Sequence, residues 1–138
     1  MTFSLLTYNL KLNKAAETTL ELLSKYKPDI VCLQEIQTDD KNLKAIENTG
    51  YKLADYSNSF IRRGKVYGVT TFFNPNTFFI IKSNSFNLPT NFYQVISFIL
   101  HGNKNPRTVL KNEFIHKKTK KKLDLYNIHL SPFATNQL

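Results

Sequence analysis

Apolar residues along the chain fall into short runs whose spacing switches between the strand period and the helix period. Residues 3–9, Phe-Ser-Leu-Leu-Thr-Tyr-Asn, are rich in strand formers and close on Asn, which predicts a buried strand. From about Asn13, a candidate N-cap, Ala16, Leu20 and Leu23 recur at helical spacing beside Ala15, Leu22 and Tyr26, until Lys27-Pro28 stops the helix. Residues 29–35, Asp-Ile-Val-Cys-Leu-Gln-Glu, form a second apolar run with a polar end, so the chain opens as β-α-β. Thr38 is placed to cap a shorter helix carrying Leu43 and Ile46, which Gly50 terminates.

After Tyr51 the texture changes to strands separated by Asn, Pro, Gly and Ser turns. Residues 66–73 stop at Asn74-Pro75-Asn76, residues 78–82 follow, and Asn87-Leu88-Pro89 breaks the chain before residues 92–100. Residues 107–116 and 123–130 then read as two arms of a hairpin joined by the lysine-rich run 117–122. Two helices followed by a mainly antiparallel sheet give an α+β arrangement. Strands apolar on both faces need cover on both sides, and two helices cover one. The expectation is therefore one sheet layer plus helices, a single partial domain over residues 1–138, incomplete at its C-terminal end.

Composition narrows the class. With 41% hydrophobic and 13% aromatic residues among 138, the chain is not a disordered tail and has the size of one domain. No apolar run approaches the ~20 residues of a bilayer span. The start lacks a basic segment and a small-residue cleavage site, and so reads as a strand. The single cysteine, Cys32, excludes an internal disulfide and a cysteine zinc cluster, and its apolar neighbours point to burial as a small hydrophobe. A reducing, cytoplasmic setting is the expectation. The net charge of +9 is uneven: residues 1–50 carry net −1 and residues 51–138 net +10. Such a field attracts polyanions, although lysine also serves plain solubility.

Three segments, 3–9, 29–35 and 123–129, share one construction: an apolar strand that delivers a polar residue at its C-terminal end. Side by side, they would bring Asn9, Glu35 and His129 to one edge of a sheet. The stretches LLTYNL at 5–10, KPDIVCLQEI at 27–36, YGVTTFF at 67–73, RTVL at 107–110 and LYNIHLSPF at 125–133 resemble the endonuclease/exonuclease/phosphatase superfamily. That group includes deoxyribonuclease I-like nucleases, abasic-site endonucleases, inositol-polyphosphate phosphatases and bacterial sphingomyelinases. The resemblance covers the chain but only the first part of the family's domain. The later Gly-Asp-Phe-Asn and Ser-Asp-His motifs have no counterpart here.

The resemblance implies a two-layer β-sandwich flanked by helices and a metal-dependent phosphoesterase, nuclease-like in hydrolysing phosphodiesters, that needs its C-terminal half for full activity. Glu35 resembles the family's magnesium-binding carboxylate, with Mg²⁺ or Mn²⁺ as cofactor; one or two carboxylates plus phosphate oxygens commonly suffice for this ion. Asn9 resembles the first-strand asparagine and His129 the histidine of the Asn-x-His-Leu pattern, both catalytic. Tyr67, Arg107 and Asn127 are candidates for phosphate or supporting contacts. His101 and His116 lie in or beside turns and suggest no metal site.

The implied partner is a phosphate ester, with nucleic acid one candidate, and self-association or a complementing chain on an exposed sheet face is a further expectation. The alternative is a noncatalytic polyanion-binding or interaction module on the same fold. Two basic groups would serve either role. Eight residues separate Lys121 from His129, about 26 Å of strand, so the lysine run lies at the far end of the sheet. Arg62-Arg63-Gly64-Lys65 is better placed, because it precedes the strand containing Tyr67.

Overall fold

A computed structural model describes residues 2–88 and 108–129. The elements in chain order are β1 (Leu5–Asn9), α1 (Ala16–Tyr26), β2 (Ile30–Gln37), α2 (Asp40–Glu47), β3 (Lys52–Arg62), β4 (Lys65–Phe73), β5 (Phe78–Asn87), β6 (Thr108–His116) and β7 (Lys122–Ile128). The predicted strand at 92–100, His101, Arg107 and residues 130–138 lie outside the described residues.

The strands form two sheets. One has the order β1-β2-β4-β3, with β1 and β2 parallel across the α1 crossover and the other pairs antiparallel. The second has the order β5-β6-β7, antiparallel throughout. The helices cover one face of the first sheet, where Leu23, Leu43 and Ile46 pack on Val31, Leu33, Ile36 and Phe72. Its other face packs on the second sheet through Ile30, Cys32, Phe73, Phe78 and Phe114. Phe73, Phe78 and Phe114 make tilted ring contacts with centroids 5.4 and 5.8 Å apart. Each fully buried phenylalanine contributes about 1.5–3 kcal/mol by leaving water.

The expectation of a single sheet layer is therefore corrected. Apolar residues on both faces of β2 and β4 do require two covers, and the chain supplies the second itself with β5, β6 and β7. Strand β3 has no counterpart among the predicted elements. It is an edge strand with a single buried residue, interrupted by Asp55, Asn58 and two register shifts, so its pattern lacks an apolar run.

The caps also move. Asn13 does not cap α1, whose N-cap is Ala15 with no side-chain bond. Its side chain instead accepts from the Gln37 backbone N–H at 2.9 Å and donates to Asn42 Oδ1 at 2.7 Å, tying the β1–α1 loop to β2 and α2. The cap of α2 is Asp39, which accepts from the Asn42 N–H at 2.8 Å, and Thr38 turns its hydroxyl to Asn58.

Candidate functional site

The site is built at the ends of β1, β2 and β7. After Asn9 the chain enters a left-handed turn, with positive φ at Lys11, Leu12 and Asn13. This turn brings the Lys11 N–H to Asn9 Oδ1 at 2.8 Å. With its oxygen so engaged, the Asn9 amide donates through Nδ2 to Glu35 Oε1 at 3.0 Å.

Glu35 is not at the end of its strand, as its sequence context suggests, but inside it. The register against β4 passes from Gln34↔Val69 to Ile36↔Gly68, leaving Glu35 as the extra residue of a bulge with φ +54°. Strand alternation explains the need. Val31 and Leu33 face the helices, so an unbulged strand would put Glu35 in the same apolar row and send Ile36 to the other face. One extra residue keeps Ile36 in the helix-facing core and frees the carboxylate.

Gly68 makes room for this arrangement. It lies between the Glu35 bulge on β2 and a second bulge on β3, where the register steps from Asn58 to Phe60 past Ser59. A Cβ at Gly68 would stand 2.1 Å from the Ser57 carbonyl oxygen, so only glycine lets β3 approach this closely. An isolated glycine inside a strand pattern is the sequence signal for such an approach.

His129 follows β7 directly and carries its Nε2 to 3.4 Å from Glu35 Oε1. One carboxylate oxygen thus accepts the asparagine's hydrogen bond and faces the imidazole, while Oε2 carries no hydrogen bond among the described residues. The side chains are 25% exposed at Glu35 and 13% at His129, so both reach solvent. Phe60 flanks the imidazole at 6.4 Å between ring centroids and stacks on Tyr67 at 5.5 Å.

Asn127 turns its side chain inward. It is buried between the sheets, accepts from Gln34 Nε2 at 2.8 Å and donates to the Thr70 carbonyl at 2.8 Å. Its amide is committed to joining the two strands that carry Glu35 and His129. Gln34, its partner, was not singled out from the sequence. Tyr67 is buried beneath Phe60.

Cys32 is buried as its neighbours suggest, and burial pushes its thiol up to about 12. Among the described residues no cluster of three or more His, Cys, Asp or Glu is positioned to hold a metal ion. The donor set is one carboxylate with a free oxygen beside a neutral amide. That set fits a hard ion that keeps waters and takes its remaining ligands from phosphate, and does not fit a fully caged site.

A family model described as "Endonuclease/Exonuclease/phosphatase family" matches residues 6–129. Similar solved structures include ANGEL2, a 2′,3′-cyclic phosphatase (TM-score 0.69, 19% identity, covering 94% of this chain and 41% of that one). The human Nocturnin catalytic domain with bound sulfate matches at TM-score 0.65 and 19% identity over 88% of this chain and 43% of that one. A mannosyl-6-phosphatase of Bacteroides thetaiotaomicron matches at 0.63 and 17%, over 94% and 52%. No curated protein matches. The chain spans 41 to 52% of the length of these three structures.

Proposed function

The chain belongs to the endonuclease/exonuclease/phosphatase family, and from that premise we propose that it forms the Glu35 side of a phosphoesterase site that hydrolyses phosphodiesters in a nuclease-like manner. The observation that carries this reading is the convergence of Asn9 and His129 on one oxygen of Glu35.

Glu35 Oε2 is the atom that would hold Mg²⁺ or Mn²⁺. When bound, such an ion neutralises phosphoryl oxygens and stabilises the leaving oxygen of an in-line displacement. Asn9 holds the carboxylate in one orientation through Oε1. His129 donates a hydrogen bond or a proton from its imidazole to charge developing on the phosphoryl or leaving oxygen. Phe60 flanks that ring and is itself backed by Tyr67. The chain covers 41 to 43% of two of the matched structures, which supports the proposal that full activity belongs to a domain of the whole family length.

The test is hydrolysis of bis(p-nitrophenyl) phosphate and plasmid DNA with and without Mg²⁺, comparing the native chain with Glu35→Ala. A metal-dependent rate that falls by about a hundredfold or more supports the reading. Broadening of the Asn9 and His129 resonances by Mn²⁺, abolished in Glu35→Ala, supports it independently of turnover. DNA binding indifferent to both Mg²⁺ and Glu35→Ala, with no hydrolysis, would favour the noncatalytic polyanion-binding module instead.

A further inference from the structure

We infer that the tip of the β3–β4 hairpin, through Arg62, Arg63 and Lys65, grips the backbone of a nucleic-acid strand whose scissile phosphate lies at Glu35 and His129. The inference rests on the phosphodiesterase reading and names its substrate class. Arg62 and Lys65 close the hairpin as its last paired residues, with Arg63 and Gly64 at positive φ between them. All three cations are exposed. Among the described residues none of them has an ion pair, whereas Lys111 on the second sheet is neutralised by Glu113 at 3.0 Å and Asp124 at 3.2 Å. Residues 56–73 contain these three cations and no acid.

Position distinguishes this group from the rest of the excess charge. Lys65 lies three residues beyond Gly68, the neighbour of the Glu35 bulge, so the tip stands about 10 Å further along the strand direction. That reach corresponds to about three nucleotides of a stacked strand at ~3.4 Å each. A compact monoester has no second phosphate to place there, whereas a polynucleotide presents a phosphate at each step. Phe60, on the same strand as Arg62, flanks the His129 ring at 6.4 Å between centroids, so the strand that bears the grip also borders the reacting end. The lysines at 117–122 lie at the opposite end of β7 from His129. A lipid surface fits less well, since the tip offers only Ile61, 73% exposed, as an apolar anchor.

The test measures binding of a fluorescent oligodeoxythymidylate by anisotropy across a salt series, with the whole chain. The triple variant Arg62→Ala/Arg63→Ala/Lys65→Ala is expected to weaken binding by about tenfold and to reduce the magnitude of the log Kd against log salt slope by about 2. Removing three charges from the far end, Lys118→Ala/Lys121→Ala/Lys122→Ala, is expected to change Kd less than about twofold. Arg62→Lys/Arg63→Lys keeps the charge and is expected to keep the affinity, which separates charge loss from a damaged hairpin. Equal weakening by the two triples, or loss in the lysine double variant, overturns the inference. So does a hairpin triple that loses binding to phosphatidylcholine/phosphatidylserine vesicles while still binding the oligonucleotide normally. Hydrolysis followed in parallel with Glu35→Gln tells the two readings apart. An unaffected rate with a hairpin-dependent Kd removes the hydrolase and leaves the grip, and the converse removes the grip alone.

Discussion

Gln34 and Asn127, 93 residues apart in the chain, join the two sheets through a 2.8 Å hydrogen bond from Nε2 to Oδ1. Gln34 precedes Glu35, and Asn127 lies two residues before His129. The bond therefore holds the strand bearing the carboxylate against the strand bearing the imidazole. Gln34→Met removes the donor while roughly keeping volume and leaves Asn127 Oδ1 buried without this partner. A loss of about 1–3 kcal/mol in a urea melt is expected. A double-mutant cycle with Asn127→Leu should show coupling, because both residues lose the same bond. Additive losses would mean that the bridge holds nothing together.

Gly68→Ala should be among the most damaging single-methyl additions in the chain. The new Cβ would meet the Ser57 carbonyl oxygen at 2.1 Å, and that neighbour is backbone, which cannot swing away. A destabilisation of about 3 kcal/mol is expected, at the upper end for overpacking. Nearby Val69→Ala, which only leaves a cavity, should retain the strand pairing in amide hydrogen exchange, while Gly68→Ala should open the β3–β4 ladder.

Much of the fold is legible in local pattern. Strands β1, β2, β4 and β6 and both helices follow from apolar runs, helical spacing and breakers such as Pro28. Edge strand β3 escapes because its stability comes from pairing with β4 rather than from its own composition. The caps of α1 and α2 miss for a related reason: Asn13 and Thr38 are used by tertiary partners.

Replacing Glu35 with glycine should stabilise the fold relative to alanine. Glu35 sits at φ +54°, where an L side chain costs about 1–2 kcal/mol and glycine nothing comparable. Thermal denaturation of Glu35→Gly and Glu35→Ala should separate them by about 1 kcal/mol in favour of glycine. Both should lose Mn²⁺-induced broadening at Asn9. A more stable Glu35→Ala would show that the bulge is not strained.

Asp29 gives the fold a pH dependence at the opposite end of β2. Burial raises its carboxyl, but hydrogen bonds from the Thr77 hydroxyl, the Ser4 N–H and the Ser4 hydroxyl outweigh this, and the His116 charge adds to them. The carboxyl lies below its ordinary value of 3.8. A depressed carboxylate stabilises the folded state fully above the unfolded value, and the contribution is lost as pH falls through the folded one. The melting temperature should therefore drop as pH is lowered below about 4. In Asp29→Asn that part of the fall should be missing. Parallel pH profiles of the two proteins would rule the assignment out.

The amino-acid sequence by itself determined the β-α-β opening, the apolar strands other than β3, the buried Cys32 and the polar strand ends at Asn9 and His129, since these depend on periodicity and on residues near in the chain. It was also enough to bring Asn9, Glu35 and His129 into one hypothesis through their motifs. Tertiary structure alone decided that the chain builds both sheets, that Glu35 is lifted out of the apolar row by a bulge facing Gly68, and that Asn127 serves the inter-sheet bridge. Each of these depends on register between strands far apart in sequence. A shift of one residue exchanges the two faces of a strand, and local composition carries no record of which pairing wins.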